Sequence, residues 1–226
     1  MIDESALEVF EERAENLSLE DFRAWTAPAP HETQILRQLT SSGPKLLSGP
    51  RGCGKTTLLR MAQLQLEDRG KALPVYVNFG RSMFIEPAFS RRSDADGFFQ
   101  DWLIAKIIQG AVAALEAIDS DAVPSELAER SSVFVQAAEV NTGLTRVQLP
   151  GPVQMAKLLT EWAAASGRSG TVLLLDDAAH AFVPEQQRIF FEVLRSLRAP
   201  GVTYKAAIYP GCLLYTSPSP RDRTRS

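Results

Sequence analysis

Cysteine is scarce in this chain. Cys53 and Cys212 are the only two in 226 residues, too few for a disulfide framework. Histidine is equally rare: His31 and His180 stand alone and read as ordinary surface or packing residues. Neither charge dominates, with 24 Lys and Arg against 27 Asp and Glu and a net charge of −3. That balance excludes a global pull toward nucleic acid or anionic membrane, while leaving room for a local basic patch. No stretch approaches the ~20 consecutive apolar residues of a membrane span. The opening segment, MIDESALEVFEERAENLSLE, is acidic and lacks the apolar core of a signal peptide. These absences lead us to expect a cytoplasmic protein without a membrane partner. What is present suits one sizeable folded domain: 45% hydrophobic residues and 23% charged, a composition that can bury a core.

The final stretch, CLLYTSPSPRDRTRS (212–226), has no apolar periodicity. Its first eleven residues resemble the translation of a sequencing adapter read through in frame. We set residues 212–226 aside as an artefactual or disordered tail and expect the natural gene to continue past Gly211.

Between the ends, helical and strand signals alternate. Residues 4–24 read as an acidic helix, TAPAP (26–30) as a breaker and HETQILRQLTSSG (31–43) as a short helix. PKLLS (44–48) reads as the first buried strand, followed by a glycine turn and a helix over 55–67. LPVYVNFG (73–80) is rich in β-branched residues and punctuated by Gly80, so it predicts a second strand. Helical spacing returns at 96–119, 123–140 and 153–167. TVLLLDD (171–177) is a continuous apolar run ending in two acids, the pattern of a strand buried on both faces. A helix over 184–201, with Pro at its start and Gly at its end, precedes a last strand at 202–211. The alternation predicts an α/β fold, a parallel sheet sandwiched by helices. We expect a helical segment at 1–42 and a core at 43–211.

One stretch carries chemistry by itself. GPRGCGKT (49–56) fits the phosphate-loop pattern G-x-x-x-x-G-K-[ST] without a mismatch, and the strand and helix signals around it are in the right order. Gly49, Gly52 and Gly54 would let the backbone turn with positive φ and approach an anion closely. The turn's amides and the following helix N-terminus favour phosphate, so Gly49, Pro50, Arg51, Gly52, Cys53, Gly54, Lys55, Thr56 and Thr57 form the expected nucleotide cradle. Lys55 would neutralise the β- and γ-phosphates and Thr56 would coordinate Mg²⁺. Arg51 and Cys53 fill variable positions, the latter as a small packing residue. Asp176 ends the apolar strand where it could hold Mg²⁺ through its water shell. Asp177 could polarise an attacking water, or act as a supporting or helix-capping carboxylate.

With these two stretches the chain resembles P-loop NTPases of the additional-strand class, and within them AAA+ ATPases. GPRGCGKTTLLR with LLLDDAAHAF looks most like the bacterial relatives of the origin-recognition-complex initiator ATPases; the STAND signalling ATPases are similar. The resemblance covers about residues 27–211. It implies an ATP-binding, Mg²⁺-dependent ATPase acting as a switch on a protein partner or by self-assembly, with catalytic roles for Lys55 and Asp177 and metal roles for Thr56 and Asp176. It implies one strand, here 203–209, between the phosphate-loop strand and the acid strand. The sensor usual at that strand's end is Asn, Ser or Thr, and Tyr209 is the nearest polar group. Asn78 matches a position that switches the catalytic acid in many AAA+ proteins, and Pro30 and His31 match the adenine wall. The fifth strand, arginine finger and helical lid would lie past residue 211, leaving the phosphate-loop strand as an exposed edge; Arg195 and Arg198 are not at the usual finger position. Catalytic acids in the family are usually Glu, so the shorter Asp177 implies slow turnover. A STAND-type signalling NTPase, in which nucleotide exchange drives assembly, is the first alternative; a nucleoside or small-molecule kinase, with the three arginines of 79–97 imitating a lid, is the second. A DNA role has no support in the interleaved charges around Arg81, Arg91, Arg92, Arg130 and Arg146.

Overall fold

The computed structural model describes residues 14, 17–80, 85, 92–118, 120–140, 147–177 and 183–209. Most of the acidic N-terminal helix, Arg81, Arg91, Arg146, His180 and the tail from Cys212 lie outside the described residues.

In chain order the elements are α1 (Leu19–Trp25), α2 (Glu32–Leu39), β1 (Lys45–Ser48), α3 (Lys55–Arg69), β2 (Leu73–Asn78), α4 (Ala95–Glu116), α5 (Ser125–Val140), α6 (Pro152–Ala165), β3 (Thr171–Asp176), α7 (Pro184–Ser196) and β4 (Val202–Ile208). The strands form one sheet in the order β1-β4-β3-β2, every neighbouring pair parallel. β4 therefore stands between the strand before the glycine turn and the strand carrying the acids, the insertion expected of 203–209.

All six residues of β3 are buried, because β3 is an inner strand covered on both faces. Its side chains alternate between two cores, as the period of two requires. Val172 and Leu174 join Phe22 of α1, Leu36 and Leu39 of α2 and the apolar side of α3. Leu173 and Leu175 join α4, α5, α6 and α7 on the opposite face. Local chemistry sets the helix ends. Ser18 Oγ accepts from the Asp21 amide at 3.1 Å at the start of α1. Gly70, at φ 63°, stops α3, and Pro152 and Pro184 open α6 and α7.

Four expectations need correction. β1 is not the buried strand that PKLLS suggested: with Leu46 42% exposed and only Leu47 partly covered, it is the sheet's edge strand, as the family resemblance implied. Its apolar residues cover one neighbour instead of two. The strand over 73–80 ends at Asn78 and the helix over 184–201 at Ser196. Finally, α4 is long and apolar enough, by length and composition, to cross a membrane. Isoleucine, leucine, phenylalanine and alanine through its length raise its mean hydropathy. Eleven of its residues, Trp102 and Phe99 among them, are buried in the core against β2, α5 and α7.

Candidate nucleotide site

The carboxyl ends of β1, β3 and β4 and the amino end of α3 meet at one edge of the sheet, where ligands of open α/β sheets bind. Gly52 and Gly54 hold φ of 79° and 81°, a region other residues occupy only under strain. Gly49 differs from expectation, since it is not in the left-handed region. A Cβ there would lie 2.6 Å from Cys53 Sγ, so a side chain at 49 would have to displace that thiol, while φ makes no demand for glycine. Cys53 is exposed, with its thiol against Gly49 instead of in a core. Gly54 caps α3 without a side-chain hydrogen bond, which leaves first-turn amides available to an anion. Pro50 and Arg51 are exposed, and Thr57 is half-buried in that turn.

Lys55 is 6% exposed. Its ammonium donates to the carbonyls of Gly49 at 2.8 Å and Pro50 at 2.7 Å and lies 4.0 Å from the centroid of the Tyr209 ring. The two carbonyls and the π-face stabilise a cation almost removed from water.

Asp176 is buried at 1% exposure. Its Oδ2 accepts from the Tyr76 hydroxyl at 2.8 Å, its Oδ1 from the Asp177 amide at 2.9 Å, and its carboxylate bonds the Thr56 side chain. Burial pushes its carboxyl pKa up; the hydrogen bonds from Thr56 and Tyr76 oppose this, and the neighbouring Asp177 charge adds to it. Thr56 and Asp176, more than a hundred positions apart in sequence, are thus in direct contact.

Asp177 has φ of 50°, tolerated by Asp better than by most residues. Its Oδ1 accepts from the Tyr209 hydroxyl at 3.3 Å. Burial and the Asp177 carboxylate push the Tyr209 phenol up to about 12, so Tyr209 remains a donor at neutral pH. Asn78, beside Asp176 in register, accepts from the Gly80 amide at 2.6 Å. A Cβ on Gly80 would meet both Asn78 Oδ1 and Asp177 Oδ2, at 2.9 and 3.4 Å, so these two side chains converge there. Pro30 and His31 are exposed at the start of α2, and Arg195 and Arg198 are exposed at and beyond the end of α7. Arg92 is committed to Asp94 at 2.7 Å and to the Phe98 ring, and Arg130 pairs with Glu126.

The donor set fits Mg²⁺. One carboxylate and one hydroxyl meet beside the glycine turn, hard oxygen ligands for an ion that completes its coordination with water and other oxygens. Among the described residues no group of three or more His, Cys, Asp or Glu could hold a metal alone.

Residues 9–75 match the ORC-CDC6-like family model. The match covers less than a third of the chain but takes in the whole glycine turn and α3. It supports an ORC-CDC6-like AAA+ relationship and, at that level, ATPase-type nucleotide binding. No curated protein and no solved structure matches the chain. Tyr76, Asp176, Asp177 and Tyr209 lie beyond the ORC-CDC6-like match. Of these, Tyr76 was not legible as a site residue. The available signal was its parity: two residues before Asn78, it shares a face with whatever pairs two residues before and after.

Proposed function

We propose that this chain binds ATP with Mg²⁺ and acts as a slow, AAA+-type conformational switch, directed at a protein partner or a second copy of itself. The observation that carries the reading is the contact between Thr56 and the buried Asp176 carboxylate at the mouth of the glycine turn. Lys55 would exchange the carbonyls of Gly49 and Pro50 for β- and γ-phosphate oxygens. The amides of the turn and of the first turn of α3 would orient the triphosphate. Thr56 and Asp176 would hold Mg²⁺, which would supply charge neutralisation for the triphosphate. Asp177, steadied by Tyr209, would orient the attacking water. A carboxylate with one methylene fewer than the usual Glu, already engaged by a phenol, supports slow turnover. The ORC-CDC6-like match supports the initiator-type relationship rather than the signalling or kinase alternatives.

Equilibrium binding of a fluorescent ATP analogue to the full chain, in Mg²⁺ and in EDTA, tests the reading. Wild type should bind and Lys55→Ala should bind at least about tenfold more weakly, the loss of one charge-assisted contact of ~1.5–3 kcal/mol. Equal binding by both, or none by wild type, would overturn it. Phosphate release should be slow in wild type and lost in Asp177→Asn.

A further inference from the structure

Asp176 is held from below by a side chain that the phosphate-loop pattern does not contain. β2 and β3 run parallel, with Tyr76 opposite Leu174 and Asn78 opposite Asp176. Tyr76 and Asp176 therefore project from the same face as diagonal neighbours, a separation that an aromatic side chain can span. The Tyr76 hydroxyl does so, donating to Asp176 Oδ2 at 2.8 Å. With Oδ1 accepting from the Asp177 amide at 2.9 Å, the carboxylate plane is fixed at both oxygens. A carboxylate at a strand end otherwise rotates in a broad torsional well. The phenol ring is itself immobilised. The Arg60 guanidinium lies over it, 5.0 Å from the centroid. Arg60 donates to the Leu17 carbonyl at 2.6 Å and to Gln63 Oε1 at 3.0 Å, and it also faces the Phe22 ring of α1 at 5.9 Å. Leu17, Arg60, Tyr76 and Asp176 thus form a continuous chain of contacts from the entrance of α1 to the metal side of the site.

We propose that Tyr76 is a positioning residue that fixes the Asp176 carboxylate for the divalent cation, and that Arg60 locks the Tyr76 ring against the N-terminal helix. The proposal rests on the nucleotide reading above and names what sets its metal side. Outer partners of metal-binding carboxylates commonly influence affinity by about 10–100-fold. Tyr76→Phe removes the hydroxyl but keeps the ring beneath Arg60.

The test is binding of the fluorescent ATP analogue to the full chain in Mg²⁺ and in EDTA. In Tyr76→Phe, the tightening that Mg²⁺ produces should fall by about tenfold, with affinity in EDTA unchanged. In an Asp176→Asn background, Tyr76→Phe should have no further effect on the Mg²⁺ response. A purely structural tyrosine would weaken binding equally in Mg²⁺ and EDTA; that result, or a wild-type Mg²⁺ response in Tyr76→Phe, overturns the role. Wild type that binds no nucleotide in either condition overturns the nucleotide reading itself, a distinguishable outcome. Should Tyr76→Phe fail to fold, Arg60→Lys serves instead. It keeps the hydroxyl and the charge but loosens the ring, so it should give a smaller loss of the Mg²⁺ response, and an unchanged response overturns the proposal.

Discussion

At Gly54 the chain enters α3 with φ of 81° and no capping side chain. A Cβ there would meet no neighbouring atom, so the cost of a side chain is purely conformational. Gly54→Ala should destabilise the fold by about 1–2 kcal/mol, the penalty of the left-handed region, read as a shift in the urea midpoint without change in slope. Wild-type stability would show that the turn does not hold this conformation. Residues whose place follows from local backbone chemistry, such as Gly52 and Gly54, were legible because the turn pattern calls for glycine where φ is positive. Gly49 was expected to need positive φ and does not; what a Cβ there would crowd is the Cys53 thiol. Tyr76 was illegible because its role depends on register with Asp176, a hundred positions later, and one sequence does not fix register. Tyr209 was visible as a polar strand end, but its ring over Lys55 and its bond to Asp177 required the sheet to be assembled.

Helix α4 shows how tertiary packing reverses a local preference. In a solvent-exposed helix, Gly→Ala gains roughly 1 kcal/mol. At Gly110 the added Cβ would lie 2.6 Å from the Tyr76 carbonyl oxygen and 2.9 Å from Val77 Cγ2. The first of these is backbone in a paired strand and cannot rotate away, so α4 would have to lift from β2. Gly110→Ala should therefore lose about 1–3 kcal/mol, measured by chemical denaturation, where a gain would show that α4 and β2 are less closely packed. The displacement would also reach the strand that carries Tyr76. Elements as such were largely legible, because hydrophobic period and Gly or Pro punctuation declare them locally: α3, α4, α6 and β3 lie within a few residues of their expected spans. The close approach at Gly110 was not, because it depends on which element lies alongside, and the exposed edge at β1 was expected only from the family resemblance, against the buried strand its own residues suggested.

Across the whole molecule the parallel sheet divides two cores, and the site is built where both end. Alternation between helical and strand periods sufficed to predict that architecture, and the additional strand was expected from family resemblance rather than from spacing. A buried lysine ties the sheet to the segment before β1. Lys205, in β4, is fully buried and donates to the carbonyls of Ser41 at 2.6 Å and Gly43 at 2.5 Å. Nothing in the sequence marked it, since a lysine in an otherwise apolar strand reads as an edge or surface residue. Burial, with a smaller contribution from the Lys45 charge, lowers its pKa from 10.5 to about 8. Between those two values the unfolded chain binds more protons at this position than the folded one, so stability rises with pH. The contribution is fully present above 10.5 and is lost as pH falls through about 8. Urea unfolding of wild type from pH 7.5 to 10.5 should show this rise superimposed on the titration of the other groups, and Lys205→Met should remove it. The decisive quantity is the difference in slope between the two proteins, because Met also deprives two carbonyls of their donor and shifts the baseline at every pH. Parallel pH profiles would mean that the ammonium reaches water and that the two carbonyls, rather than burial, govern its titration.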